Sequence, residues 1–321
     1  MNLIILEKKM KTKKDRMLLL IDGSNLAHRV FVKFEKFYDK DGVKCGLTYG
    51  FLRILYQYAH RFDPGYIIVT FDTKESKESN FRNKLLGSYK GHRKKMNLDF
   101  DYDEFNRQSR EVQKVLKYLN IPVIMDRKGL GHESDDYIAW CAYEHTAYQS
   151  NRVTIISSDK DFCQLICPSI RVFNPNKELL IGPYNCKEAM NYSPEECVDY
   201  LCLLGDKSDD IPGYFGIGEK RGRAFLDQFG SIQAFLDNPK AEFKGIDRDG
   251  LEDLYARNKE LIDFRVALEK HPVKKPPIIY HRSGVVNVKG VKKVFDQHVF
   301  GSLYNKEFIN QFKKLGIWTN Q

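Results

Sequence analysis

Apolar runs that stop at an acid recur along this chain. Met17 to Asp22 reads as a buried strand whose end exposes Asp22 in the turn Asp22-Gly-Ser-Asn25. Tyr66 to Phe71 forms a second strand with Asp72 next, and the β-branched run Val153-Thr-Ile-Ile-Ser-Ser158 forms a third, closed by Asp159 and Asp161. Leu47, Phe51, Ile54, Leu55 and Tyr58 fall at helical spacing. So do Phe105, Ser109, Val112, Leu116 and Leu119, a pattern stopped by Asn120-Ile-Pro122 before a short strand, Val123 to Met125. Ile138, Cys141, Ala142 and His145 mark a further helix, and Glu133, Asp135 and Asp136 sit at its start. Strands alternating with helices predict an α/β fold with a mostly parallel central sheet flanked by helices. In such sheets ligands gather at the C-terminal ends of the strands, where these acids converge.

Acids in a first helical turn often do no more than complement the helix dipole. A second acidic pair closing an apolar strand, and three strands ending in Asp, favour a shared metal site instead. Crowded carboxylates repel strongly in a low dielectric and need compensating positive charge. With no Cys-x-x-Cys or His cluster nearby, oxygen-only ligation points to Mg²⁺ or Mn²⁺ rather than zinc.

The rest of the chain changes the picture from metal site to polyanion partner. Among its 321 residues, 52 Lys and Arg face 43 Asp and Glu, a net charge of +9 that suits a polyanion better than a small neutral ligand. Between Lys74 and Met96 the pattern is polar and basic, with no stripe wide enough for a core helix, and it reads as an insertion above the sheet. Its cluster of Lys90, Arg93, Lys94 and Lys95 beside Tyr89 suits a nucleic-acid backbone and an unstacked base. Ile170 to Phe173 and Glu178 to Ile181 are short strands leading out of the α/β part. Ser193-Pro-Glu-Glu196 is a capping box that launches a helix to Leu204. Gly205 to Gly213 follows, carrying Asp206 and Asp209, and then the glycines Gly216 and Gly218 before a helix start with Lys220, Arg221 and Arg223. Glycines there let backbone N–H groups approach a phosphate. A second capped start falls at Ser231, and residues 240–270 read as charged and helical. Lys274-Lys-Pro-Pro277 reads as a hinge, and Phe295, Phe300, Phe308 and Phe312 as a segment packing back on the core. The Lys-rich residues 1–16 read as a flexible basic extension outside the fold. Seven Cys without metal spacing suit reduced thiols in a cytoplasm, and no run is long enough to span a membrane.

Taken in order, Asp22-Gly-Ser-Asn25, Phe71-Asp72, Tyr89-Lys-Gly-His-Arg93, Glu133-Ser-Asp-Asp136, Ser158-Asp-Lys-Asp161 and Gly205-Asp-Lys-Ser-Asp209 before Gly216-Ile-Gly218 resemble the 5′-nuclease superfamily of flap endonucleases and 5′-3′ exonucleases. The resemblance runs from Met17 to about Phe235 and includes phage members named ribonuclease H. It implies a PIN-like 5′-nuclease fold over residues 17–185 with a helical arch near 74–104. A helical subdomain with a helix-hairpin-helix would occupy 186–270, and a C-terminal segment 271–321. It implies that Asp22, Asp72, Glu133, Asp135, Asp136, Asp159, Asp161, Asp206 and Asp209 are metal-site acids, and that Lys90 and Arg93 are arch residues acting on the scissile phosphate. Arg29, Tyr89, Lys94, Lys95, Gly216, Gly218, Lys220, Arg221 and Arg223 would contact DNA.

Three departures stand out: His28 where many relatives have Phe or Tyr, Asp210 where Asn is usual, and the acidic run Asp99, Asp101, Asp103, Glu104 after the arch. The implied enzyme is a stand-alone, monomeric nuclease of the phage type, in a bacterial or phage-infected cytoplasm. It would hydrolyse phosphodiesters near 5′ ends of flaps, nicked duplexes or RNA primers, RNA-DNA hybrids included, with two Mg²⁺ (Mn²⁺ substituting) and, as in several members, K⁺ at the helix-hairpin-helix. A PIN-type ribonuclease shares the strand-end acids but generally lacks the arch and the hairpin. A DNA-binding protein with a vestigial site would lack acids, and none is missing here.

Overall fold

The computed structural model describes residues 17–91, 100–147, 151–279 and 285–316. The basic extension 1–16 and the arch cations Arg93, Lys94 and Lys95 lie outside the described residues.

The chain opens on β1 (Met17–Asp22), α1 (Gly23–Lys33), α2 (Gly46–Phe62) and β2 (Tyr66–Phe71). It continues through the short helices α3 (Lys74–Ser79) and α4 (Arg82–Leu85), then α5 (Tyr102–Tyr118), β3 (Val123–Met125), α6 (Ser134–Thr146) and β4 (Arg152–Ile156). A 3-10 turn over Lys160–Leu165 leads to β5 (Ile170–Asn174) and β6 (Leu179–Ile181). The sheet runs β3-β2-β1-β4-β5-β6. Its first five strands are parallel and β6 is antiparallel to β5. The two short strands expected to leave the α/β part therefore extend it. Their pairing is non-local, and Val172 and Phe173 are buried on opposite faces beside β4.

Both faces of the central strands are covered, which is why they read as continuous apolar runs rather than alternating ones. In β1, Leu18 and Leu20 face one core with α6, while Leu19 and Ile21 face the other with α1, α2 and α5. Each such buried side chain contributes about 1.5–3 kcal/mol.

The second unit comprises α7 (Cys186–Met190), α8 (Cys197–Leu204), the two-stranded β7 (Gly205–Asp206) and β8 (Ile211–Pro212), α9 (Glu219–Phe229), α10 (Ile232–Asp237), α11 (Arg248–Ile262) and α12 (Phe264–Lys270). Buried Asn258 of α11 donates to the carbonyls of Cys202 and Pro212, tying the β7–β8 turn to both helices. That turn is tight enough to demand glycine: Gly205 has φ +73°, and a Cβ there would meet the Gly213 nitrogen at 2.3 Å.

The segment expected as a hinge closes the sheet instead. Met125 N–H donates to Pro277 and Ile279 N–H to Val123, with Ile278 bridged to Ile124, so the β3 edge is capped. Finally α13 (Val288–Gln297) and α14 (Lys306–Lys313) bring Phe295, Phe300, Phe308 and Phe312, all buried, onto the α1–α2–α5 face. His298 pins this segment: its Nδ1 lies 2.8 Å from Asp39 and its Nε2 2.9 Å from Glu111. Hydrogen bonds to Glu111 and Asp39 hold its pKa above the ordinary histidine range against the effect of burial.

Because the folded His298 pKa is raised, its contribution to stability is complete below the unfolded value near 6.5 and fades as pH rises through the folded pKa. Wild type is therefore expected to melt about a few degrees above His298→Gln near pH 6 and to lose that margin as pH rises through the folded pKa. Melting curves across that range test it, and a margin that grows with pH contradicts it.

Candidate active site

The sheet's C-terminal edge is built from caps. Asp22 caps α1, accepting from Asn25 N–H at 2.9 Å and from the Ser157 hydroxyl at 2.9 Å. What reads in sequence as a simple turn is a helix start. Asp72 accepts from Ser134 N–H at 2.9 Å, and its own N–H donates to Ser24 at 2.8 Å. Glu133 is the N-cap of α6, with Asp135 in the first turn. Asp159 caps the 3-10 turn, accepting from Asp161 N–H at 2.9 Å. Asp206 and Asp209 come from the β7–β8 turn, and Asp206 accepts from both Ser208 N–H and its hydroxyl. Asp22, Glu133 and Asp206 are buried, whereas Asp72, Asp135, Asp159, Asp161 and Asp209 keep partial exposure.

The acids fall into two electrostatic groups with one member in common. Burial foremost, then Asp72 and Asp159, push Asp22 up to about 7. Burial with Asp22, Asp159 and Asp72 raises Asp135 well above its ordinary range. Burial with Asp159, Asp206 and Asp209 does the same to Asp161. Asp159, raised by burial and by Asp209 and Asp206, stands between the groups.

Cations hold the flanks. Burial opposes ionisation of Glu133, yet Lys90, Arg82 and the Tyr89 hydroxyl bring it down to about 2. Lys90 Nζ lies 2.8 Å from Glu133 and 3.4 Å from Asp209. Lys160 Nζ lies 3.2 Å from Asp206 and, with Ser208, keeps that carboxyl low against burial. Lys90 adopts a left-handed backbone, φ +53°, and its N–H donates to the Asp209 carbonyl at 3.0 Å. A non-glycine residue there costs about 1–3 kcal/mol, which the paired contacts offset.

Four sequence expectations change. Asp136 does not join the cluster; it is fully buried in a bidentate pair with Arg82, at 2.7 and 2.9 Å. Tyr89 is buried rather than offered to a base, its hydroxyl donating toward Glu133 and Asp209, because carboxylates satisfy it there. Arg223 is taken by Glu196 at 2.6 and 2.8 Å and by Asp227, so the capping box reserves it for structure. Arg221 donates to the Gly216 and Lys244 carbonyls and lies over Phe243, so its guanidinium is held by its own unit. Lys220 remains exposed beside Gly216 (φ +76°) and the N-cap Gly218. Arg29 is half-buried, 3.3 Å from Asn176 and 3.4 Å from Tyr58.

The Lys74–Met96 stretch is not merely an insertion above the sheet, since it buries Phe81, Arg82 and Tyr89. The departures also resolve: Asp210 has φ +56°, a conformation Asp and Asn share, and Asp101 and Glu104 open α5. His28 stacks on Phe105 at 4.4 Å. Arg82, Lys160 and Ser157 were missed. Lys160 could have been flagged by its place between Asp159 and Asp161, whereas nothing local marks Arg82.

A mostly parallel sheet that gathers acids at its strand ends, joined to a helical unit with a hairpin, defines a nuclease. Residues 17–196 match the family described as 5′-3′ exonuclease, N-terminal resolvase-like domain, and residues 192–269 match 5′-3′ exonuclease, C-terminal SAM fold. The chain belongs to the 5′-3′ exonuclease family. It is 29% identical to the 5′-3′ exonuclease of Aquifex aeolicus, over 81% of this chain and 86% of that one. It is 31% identical to the 5′-3′ exonuclease of Buchnera aphidicola subsp. Schizaphis graminum, over 70% and 75%. The fold is also that of the bacteriophage T5 flap endonuclease in a pseudo-enzyme-product complex with DNA and metal ions, at 20% identity and TM-score 0.64 over 92% of this chain and 98% of that one.

Proposed function

We propose that this protein is a structure-specific 5′ nuclease acting near the 5′ ends of DNA flaps, nicked duplexes or RNA primers in replication or repair, with two divalent cations, Mg²⁺ or Mn²⁺. The observation that carries the reading is the convergence of acids from the ends of β1, β2 and β4, the α6 cap and the β7–β8 turn, with Lys90 reaching both Glu133 and Asp209. The donor chemistry fits hard cations, being oxygen throughout. Asp161 Oδ1 adds a buried carboxylate oxygen with no hydrogen-bond partner among the described residues. Among those residues no three His, Cys, Asp or Glu already have the geometry to hold an ion; Lys90 pairs with Glu133 and Asp209, and Lys160 with Asp206.

Asp22, Asp72 and Asp135, with Glu133 once Lys90 withdraws, would hold one cation, and Asp159, Asp161, Asp206 and Asp209 the other. Bound there, such ions supply Lewis acidity and neutralising charge to an in-line displacement. Lys90, in reach of both groups, then meets charge that grows on the phosphate as the bond breaks. Lys220 and the hairpin N–H groups are placed to bind duplex phosphates away from the cut.

Three end-labelled substrates, a 5′ flap, a nick and an RNA-primed duplex, run beside an unpaired RNA, discriminate the readings. Cleavage of the flap near its branch in Mg²⁺, lost in EDTA, is expected. Preference for unpaired RNA over all three, or undiminished cutting in EDTA, rejects the assignment.

A further inference from the structure

Outside the acid groups, one buried and fully paired charged side chain among the described residues is not used by the catalytic reading. Arg82 is only 3% exposed. Its two terminal nitrogens grip both oxygens of Asp136, and its Nε donates to the Leu261 carbonyl at 2.8 Å. That carbonyl belongs to the last turn of α11, where helix carbonyls lack intrahelical partners and the dipole is negative. Asp136 in turn sits in the first turn of α6 and accepts from Glu133 N–H at 2.9 Å, in a reciprocal capping box. One guanidinium therefore joins the C-terminus of a helix in the hairpin-bearing unit to the N-terminal turn that presents Glu133 and Asp135. Arg82 also lies eight residues before Lys90, on the segment that delivers it.

We propose that Arg82 is a positioning residue for the metal site: through Asp136 it fixes the α6 cap, so that Glu133 and Asp135 stand where cations bind, and through Leu261 it makes that placement depend on the docking of α11. The proposal rests on the two-cation reading above. Buried charge alone does not explain the pair. An Arg–Asp couple out of water yields stability no better than apolar residues of similar volume. What it adds is geometry, because a guanidinium fork matched to a carboxylate fixes angle as well as distance. Partners that orient ligating carboxylates typically change metal affinity about 10–100-fold when removed.

Two variants separate positioning from bulk stability. Arg82→Met with Asp136→Leu removes both charges together and leaves no unpaired charge in the core, and Arg82→Lys keeps the charge and loses the fork. Mn²⁺ binding followed by electron paramagnetic resonance without DNA, melting temperature, and flap affinity in Ca²⁺ are measured on each. For the double variant, Mn²⁺ affinity is expected to fall about 10–100-fold while melting stays cooperative and flap affinity changes less than threefold or so. Arg82→Lys is expected to weaken Mn²⁺ binding by a smaller factor. A folded double variant that binds Mn²⁺ as wild type does overturns the proposal. Should that variant fail to fold, Arg82→Lys decides, and unchanged Mn²⁺ affinity there overturns it equally. Wild type that binds no Mn²⁺ rejects the two-cation reading itself, a result distinct from equal binding by wild type and variant.

Discussion

Changing Asp159 and Asp161 together to Asn is expected to lower single-turnover cleavage in Mg²⁺ by on the order of 10³-fold or more, the scale of losing several kcal/mol of Lewis-acid stabilisation. The substitution keeps shape and the Asp159 cap, because an Asn side-chain oxygen still accepts from the residue 161 N–H. It removes the acid common to both groups and the one whose buried oxygen lacks a partner. Repulsion among the remaining acids falls, so the melting temperature should hold or rise. Flap affinity in Ca²⁺ or EDTA should hold or rise slightly for the same reason, since fewer acids face a polyanion. A well-folded double variant that cuts flaps near the parental rate in Mg²⁺ sinks the two-cation assignment.

Lys90→Ala is expected to cost about 10²–10³-fold in single-turnover rate, the loss typical of one preorganised donor at developing charge. Flap affinity should change far less, because charge on the transferred phosphate grows only as the bond breaks. The structure adds a second signature. Lys90 is the nearest cation to Glu133 and also reaches Asp209, so its removal leaves those carboxylates facing each other beside Tyr89. Without added divalent cation the variant should therefore melt below wild type, and Mg²⁺ should narrow the gap. Bound flap reacting at the parental rate, together with weakened affinity, would make Lys90 a binding residue only.

Asp22, Asp72, Glu133, Asp135 and Asp159 were legible as local patterns, an apolar strand closed by Asp or acids ahead of a helical stripe, whereas Asp206 and Asp209 were assigned only through the order of motifs. Val123 to Met125 and the helix faces followed from the same short-range periodicity. Partnership was not legible. Arg82 and Asp136 are 54 residues apart, and Arg223 and Glu196 are 27 apart, so only tertiary packing decides that these charges meet each other rather than solvent or DNA. Tyr89 misleads for a related reason: its Lys-rich neighbourhood suggests exposure, while the acids it bonds arrive from elsewhere in the chain. The β5–β6 extension escaped because a three-residue strand carries too little pattern to name its partner.

The clasp between Lys90 N–H and the Asp209 carbonyl bears on the order of folding. Residues that far apart in sequence meet only after a large loop has closed, at an entropic cost that grows slowly with loop length. The acids are drawn from Asp22 to Asp209, on both the sheet and the helical unit, so neither half assembles them alone. A chain in which only the sheet has collapsed lacks Asp206, Asp209 and the α11 anchor for Arg82. Catalytic competence is thus expected only once both units are in place, and a molecule with the sheet alone collapsed should be an inert nuclease.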